Sequence, residues 1–237
     1  MKAFFALPIF GVTLTLVAYF LSGKLKDKFN LVLFNRVLIS AVIIIGVLLL
    51  FNIDFEIYNN GAKYISFFLG PSVVALGVTL YERLEEMKRD LRVFLISVFA
   101  GGVVGIFSVI VFLILWNAPE IVSRSLASKS VTTPIAIEIT KITKGIPEIT
   151  AGIVIITGIL GNAFGPFILQ KLGVKNKKAV GTALGTAAHG IGTARAFEIS
   201  TSAGTYSGLA MCFNGIITAL LAPYILDWLL TFSSVTD

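Results

Sequence analysis

Four apolar runs, at 4–22, 31–51, 94–116 and 205–232, each approach or exceed the roughly 20 residues that a helix needs to cross the hydrocarbon of a bilayer. A chain with such runs cannot hide its apolar surface in a soluble core. It is 56% hydrophobic and 14% charged, where an ordinary soluble domain carries about 25% charged residues. Lipid is therefore its expected solvent.

A net charge of +6 would ordinarily raise nucleic acid as a partner, but 11 of the 19 Lys and Arg sit in three short loops between apolar runs. These are Lys24, Lys26 and Lys28; Arg83, Lys88, Arg89 and Arg92; and Lys171, Lys175, Lys177 and Lys178. Such loops mark the cytoplasmic side of a membrane protein, so the charge reads as topology and no nucleic-acid partner is expected. The lone cysteine, Cys212, precludes an intrachain disulfide and is expected as a buried thiol. The first run has its positive flank after the apolar stretch and no clear cleavage pattern, and reads as an uncleaved first helix.

Placing the basic loops inside gives an all-α polytopic membrane protein of about seven or eight transmembrane helices, expected as multi-pass in an inner (cytoplasmic) membrane. Residues 82–92 read as a solvated loop, 146–169 and 179–200 as crossings, and 205–232 as a return. Residues 117–145 begin and end outside and contain Arg124, Lys129, Pro134, Glu138 and Lys141, which predicts a re-entrant pair of half-helices. Sliding the chain by 115 residues lays Leu69, Gly70 and Gly77 on Leu184, Gly185 and Gly192, run 31–51 on 146–166, and run 91–116 on 206–231. With the charge-derived senses this predicts an inverted repeat, residues 1–116 against 117–237, with a site near the midplane between the halves.

Three segments carry candidate chemistry. In Ser130–Glu138, Thr132 or Thr133 suits a helix cap and Pro134 a first helical position, so a helix N-terminus favourable to an anion is expected there. Glu138 follows one turn later, with Lys141 within pairing distance. The alternative is an ordinary capped surface helix.

In Gly181–Glu198, Gly181, Gly185, Ala188 and Gly192 form a small-residue face suited to close helix packing. Thr182, Thr186, His189 and Thr193 form a polar stripe beside it. His189, the only histidine, suits proton coupling or substrate donation, or is a buried imidazole bonded to Thr hydroxyls. Arg195 suits a carboxylate clamp, or pairs with Glu198. In Leu69–Gly77, Gly70, Pro71 and Gly77 mark a broken or bent helix.

No Walker loop, dinucleotide fingerprint or metalloprotease motif is present. No metal, cofactor or enzymatic activity is expected.

These residues resemble the LrgB/CidB family across essentially the whole chain. The likeness is strongest at Ser130–Glu138, Thr157–Gly161 through Gly165-Pro166, Gly185–Ala194 and Ser207–Met211. The family usually has Ser at Ala188 and Ala at Gly190, and often Lys at Arg195 and Pro at Thr79. An acidic residue it often carries before Ser-Gly-Leu-Ala-Met is absent from Thr201–Tyr206.

The resemblance implies two activities. One is antiholin-like regulation of murein hydrolases and lysis with a small LrgA/CidA-type membrane partner. The other is transport of small carboxylates, since the plastidial glycolate/glycerate translocator is similar to a fusion of the two partner types and bacterial pairs are associated with pyruvate.

The residues favour the second: a secondary transporter or facilitator of pyruvate-, glycolate-, glycerate- or lactate-like monocarboxylates, working by alternating access. Half-helix N-termini at Thr133-Pro134 and near Gly185-Thr186 would hold the carboxylate with His189, Thr193 or Arg195. Glu138 and His189 are the expected coupling groups. A homodimer is also compatible with the Gly-rich and apolar faces.

Overall fold

The computed structural model describes residues 7–29, 36–68 and 84–234, and residues 71, 74, 75, 78 and 81. The described secondary structure is helical, and the chain divides into two compact units, Met1–Tyr81 and Glu82–Asp237.

The first unit holds α1 (Pro8–Phe29), α2 (Arg36–Leu50) and α3 (Phe55–Phe67). Gly11 and Gly61 bring α1 and α3 into backbone contact, since a Cβ on either would strike a carbonyl of the other helix. Thr15 and Tyr58 share a hydrogen bond of 2.8 Å across that seam. Pro71 is helical and exposed; its expected companions in a helix break, Gly70 and Gly77, lie outside the described residues.

The second unit holds α4 (Leu84–Leu115), α5 (Glu120–Leu126), α6 (Thr133–Ile142), α7 (Pro147–Lys171), α8 (Lys177–Ile199) and α9 (Thr201–Ser234). Residues 84–92, expected as a loop, are the first turns of α4. Glu, Lys and Arg are good helix formers, and Glu85 pairs with Lys88 at 2.6 Å.

α5 and α6 form a helical hairpin. Arg124 donates to the Thr143 carbonyl at 2.9 Å, and Ser128 Oγ to the Ala136 carbonyl at 3.2 Å, so numbers rise on one arm as they fall on the other. Lys129 and Ser130 lie in the connection at the tip. A buried hydroxyl chain, Ser128 to Thr140 to Thr150 to the Ser125 carbonyl, ties the hairpin to α7. The re-entrant pair expected over 117–145 is thus two short antiparallel helices. α6 starts at Thr133, one residue before Pro134, with Thr132 as its cap position.

α8 is a second hairpin, and here the structure corrects the sequence. Ala188 (φ −130, ψ 17) and His189 (φ 41, ψ −134) are non-helical and break it. In a straight helix Leu184 and Gly192 would stand about 12 Å apart along the axis, yet a Cβ on Gly192 would meet the Leu184 carbonyl. Val180, Leu184, Ala196 and Ala203 also share one buried cluster. The second arm therefore folds back on the first, and residues 179–200 are a hairpin and not the expected single crossing.

That reversal sets the direction of α9. Gly165, Gly161 and Gly158 of α7 meet Leu184, Ala188 and His189 in turn, so α7 is antiparallel to the first arm of α8. Gly181 and Gly185 meet the carbonyls of Ala203 and Ser207, so α9 is parallel to that arm. Asp90 meets Tyr206, Gly102 meets Asn214 and Phe107 meets Trp228, so α4 and α9 are parallel to each other.

Runs 91–116 and 206–231 therefore share one sense, and the inverted repeat at an offset of 115 residues is not supported. Loop charge cannot distinguish a crossing from a hairpin of the same length.

Four described helices are long and apolar enough to cross a membrane: Pro8–Lys28, Lys88–Leu115, Pro147–Lys171 and Thr201–Phe232. This supports an all-α membrane protein but not seven or eight crossings. The shorter apolar Arg36–Leu50 is a fifth hydrophobic helix. Cys212 is exposed on α9 and not buried.

Candidate functional site

The α5–α6 hairpin follows the C-terminal end of α4, and the α8 hairpin follows the C-terminal end of the antiparallel α7. Their tips consequently approach from opposite ends of the second unit. Gly101 and Gly105 of α4 measure the gap: a Cβ on Gly101 would lie 3.0 Å from Thr186 Cγ2, and one on Gly105 would lie 3.9 Å from Ser130 Oγ. Four residues of helix separate these glycines, about 6 Å along the axis.

Asn214 of α9 closes the junction. Its Nδ2 donates to the Ser130 carbonyl at 3.3 Å and to the Thr186 carbonyl at 3.0 Å. Asn162 of α7 donates in the same way to the Ile191 carbonyl at 3.0 Å, just past the break. Thr193 Oγ1 donates to the His189 carbonyl at 2.9 Å. Side chains thus satisfy carbonyls around the break, as irregular backbone away from water requires.

Beside this junction lies a cavity of about 1030 Å³, walled by α4, the α5–α6 tip, α7, the first arm of α8 and the start of α9. Leu160, Phe164 and Ile168 supply apolar wall. The ionisable groups in the wall are Asp90, Lys129, Lys178 and Tyr206. Asp90 Oδ2 accepts from Lys178 Nζ at 2.7 Å and from Tyr206 OH at 3.1 Å, and Lys178 also lies over the Tyr206 ring. The half-buried Lys129 donates only to Ser130 Oγ, at 3.1 Å, and has no ion pair among the described residues.

Of the site residues expected from sequence, Thr186 lies in the cavity wall. Thr132, Thr133 and Pro134 begin α6 beside the tip but outside that wall, Pro134 exposed. Gly185 and Gly192 serve packing, against Ser207 and Leu184 respectively. The helix break falls at Ala188–His189, three residues beyond Gly185-Thr186.

His189 is buried, with Nε2 donating to the Val154 carbonyl at 3.0 Å and the ring seated against Gly158. Thr193 bonds Ser207 Oγ at 3.0 Å, behind the break. Arg195 pairs with Glu198, and Glu138 with Lys141 at 2.7 Å, both on partly or fully exposed flanks.

Sequence reasoning did not place Lys129, Asp90, Lys178, Tyr206 or Asn214 in the site. Lys129 carried a usable signal, an ionisable residue in a segment already read as re-entrant, where such groups are functional by default. Asp90 carried none, because a charge among charges looks like solvated surface.

The profile of the LrgB-like family matches residues 15–228. The chain belongs to the LrgB-like family. Its LrgB-like relatives include an uncharacterized protein of Haemophilus influenzae, 33% identical over 213 residues that cover 90% of this chain and 92% of that protein. A holin-like protein CidB of Staphylococcus epidermidis is 31% identical over 215 residues, 91% and 94% of the two chains. An antiholin-like protein LrgB of Bacillus cereus is 30% identical over 223 residues, 94% and 97% of the two chains. No solved structure matches this LrgB-like chain.

Proposed function

We propose that this LrgB-like protein is a secondary transporter or facilitator of small monocarboxylates of the pyruvate, glycolate, glycerate and lactate class. The observation that carries the reading is the meeting of two oppositely directed helical hairpins, Ser130 and Thr186, on one Asn214 side chain. Irregular backbone persists at membrane depth only against protein or a water-filled cavity, and broken helices at mid-depth are the transporter solution.

The first arm of α8, Lys177 to Ala187, spans about 16 Å, close to half of a hydrocarbon core of about 30 Å. A hairpin rooted at one face therefore ends near the middle. The basic ends of α4 and α8 meet in the Lys178–Asp90 pair, which supports placing both at the cytoplasmic face of an inner membrane, with α5–α6 rooted at the other. Hairpin plus crossing then occurs twice in opposite senses, as α5–α6–α7 and α8–α9. Alternating access would open the cavity to one face at a time.

Glu138 and His189 are the coupling candidates. Each would have to release its partner, Lys141 or the Val154 carbonyl, during the cycle.

A second reading is favoured by the names of relatives, which support it more directly than they support transport: antiholin-like regulation of murein hydrolase activity and lysis. It would act through an LrgA/CidA-type partner, with a homodimer as a further assembly.

Proteoliposome uptake of labelled monocarboxylates separates the two. Uptake above empty vesicles is expected for at least one acid. If the protein gave none across the panel, and a lysis phenotype survived replacement of Asn214, His189 and Glu138, the regulatory reading would stand instead.

A further inference from the structure

We infer that Lys129, with Ser130, is the anion-binding pole of the cavity, and that its ligand is a small organic monoanion. This rests on the transporter reading for its place in a cycle, but not for the binding itself.

Charge in the wall sets the valence. Asp90 and Lys178 neutralise each other at 2.7 Å, and Tyr206 adds a hydrogen bond to the same carboxylate oxygen. Lys129 is left as the one wall cation without a carboxylate among the described residues. A half-buried ammonium without a counter-charge is costly, and an ammonium has three donors, of which one is used on Ser130 Oγ. Ser130 accepts that bond, which leaves its hydroxyl hydrogen free to donate to a carboxylate.

One uncompensated positive charge matches one negative charge. A dicarboxylate's second charge would find no unpaired cation in the described wall, whose apolar part includes Leu160, Phe164 and Ile168, and desolvation would disfavour it. Those side chains suit the short carbon skeleton of a monocarboxylate. The position is also apt. Lys129 and Ser130 form the hairpin tip, and Asn214 joins the Ser130 carbonyl to the Thr186 carbonyl of the opposing hairpin. A ligand bound there sits where a relative movement of the two tips would be felt.

The test uses the purified full chain in detergent. Its melting temperature is titrated with pyruvate and glycolate, and with chloride, succinate and methyl pyruvate as comparisons. Saturable shifts are expected for the two monocarboxylates, with small or no shifts for the others. Lys129→Met should weaken the apparent affinity at least about tenfold and melt, without ligand, at or above wild type, because it removes an uncompensated cation. Lys129→Arg should retain saturable binding.

Equal affinity in Lys129→Met overturns the assignment, as does an absent shift in the wild type. Equal shifts with succinate overturn the monoanion class, and equal shifts with chloride overturn the organic carboxylate as its ligand. Uptake in proteoliposomes then separates the two claims. Lys129-dependent binding without uptake leaves the site and sinks the transporter, while uptake with an unchanged KM in Lys129→Met does the reverse. If the Met variant does not fold, the comparison passes to Lys129→Gln against Lys129→Arg, and equal affinity in that pair overturns the assignment.

Discussion

Asn214 Nδ2 lies 3.0 Å from the Thr186 carbonyl, a hydrogen bond between α9 and the first arm of α8 that also fixes Asn214 for its second bond, to Ser130. Both acceptors are backbone oxygens beside hairpin tips, so the side chain must be a donor. Asn214→Ala should destabilise the protein by about 1–3 kcal/mol through unsatisfied buried carbonyls. Asn214→Asp should cost more, since a carboxylate would face two carbonyl oxygens. Thermal melting of the purified protein ranks the three, and an Asp variant as stable as wild type would remove the donor argument.

His189 holds φ 41 and ψ −134, a combination that ordinarily suits glycine and costs a larger residue about 1–3 kcal/mol. Glycine is usually less stable than alanine within a helix by about 1 kcal/mol. At 189 that order should invert, with His189→Gly melting above His189→Ala, although both lose the bond to Val154. The usual order would show that the break is not strained.

Gly185 packs so that a Cβ would collide with the Ser207 backbone, whereas Gly152 has nothing within 4 Å of the same position. Gly185→Ala should therefore destabilise by about 1–3 kcal/mol or more. Gly152→Ala should be neutral or stabilise by about 0.5–1 kcal/mol. Equal effects in denaturant titration would contradict the close α8–α9 approach.

Asp90 and Lys178 join the first turns of α4 and α8 across 88 positions of sequence. On the transporter reading, Asp90→Asn and Lys178→Met should each slow uptake, and the charge-swapped pair Asp90→Lys with Lys178→Asp should recover part of it. A double variant no better than the sum of the singles would mean that the pair does not hold the two helices together.

Glu138 and Lys141 are mostly exposed and pair at 2.7 Å on one helix face, an arrangement worth about 0.2–0.5 kcal/mol. Glu138→Gln should leave the melting temperature nearly unchanged. A role in proton coupling would instead show as loss of the pH dependence of uptake, a readout that a structural pair would not move.

Several parts of the site are legible in the residues alone. Gly158, Gly161 and Gly165 mark α7 as a close-packing helix, and they hold His189, Ala188 and Leu184. The polar content of 117–145 marks a broken segment, and two short helices occupy it. Residues 130–138 and 181–195, two of the segments read as carrying candidate chemistry, are joined through Asn214 at the carbonyls of Ser130 and Thr186. The expectation that His189 faces a ligand rests on its near-neutral pKa and on its being ionisable at membrane depth, and neither says which way a ring points.

The apolar runs by themselves determined that this is a helical membrane protein, because apolar length and scarcity of charge are local quantities that bound where a chain can dissolve. The small and polar residues near 130 and 189 likewise determined where the helices would not be simple lipid-facing rods. Only the tertiary structure decided that α8 turns back on itself, that α4 and α9 run parallel, and that Asp90 cancels Lys178 while Lys129 stays uncancelled among the described residues. Those facts depend on two residues with non-helical backbone, Ala188 and His189, and on contacts between residues as distant in sequence as Phe107 and Trp228, and no periodicity or spacing along the chain encodes which distant groups meet.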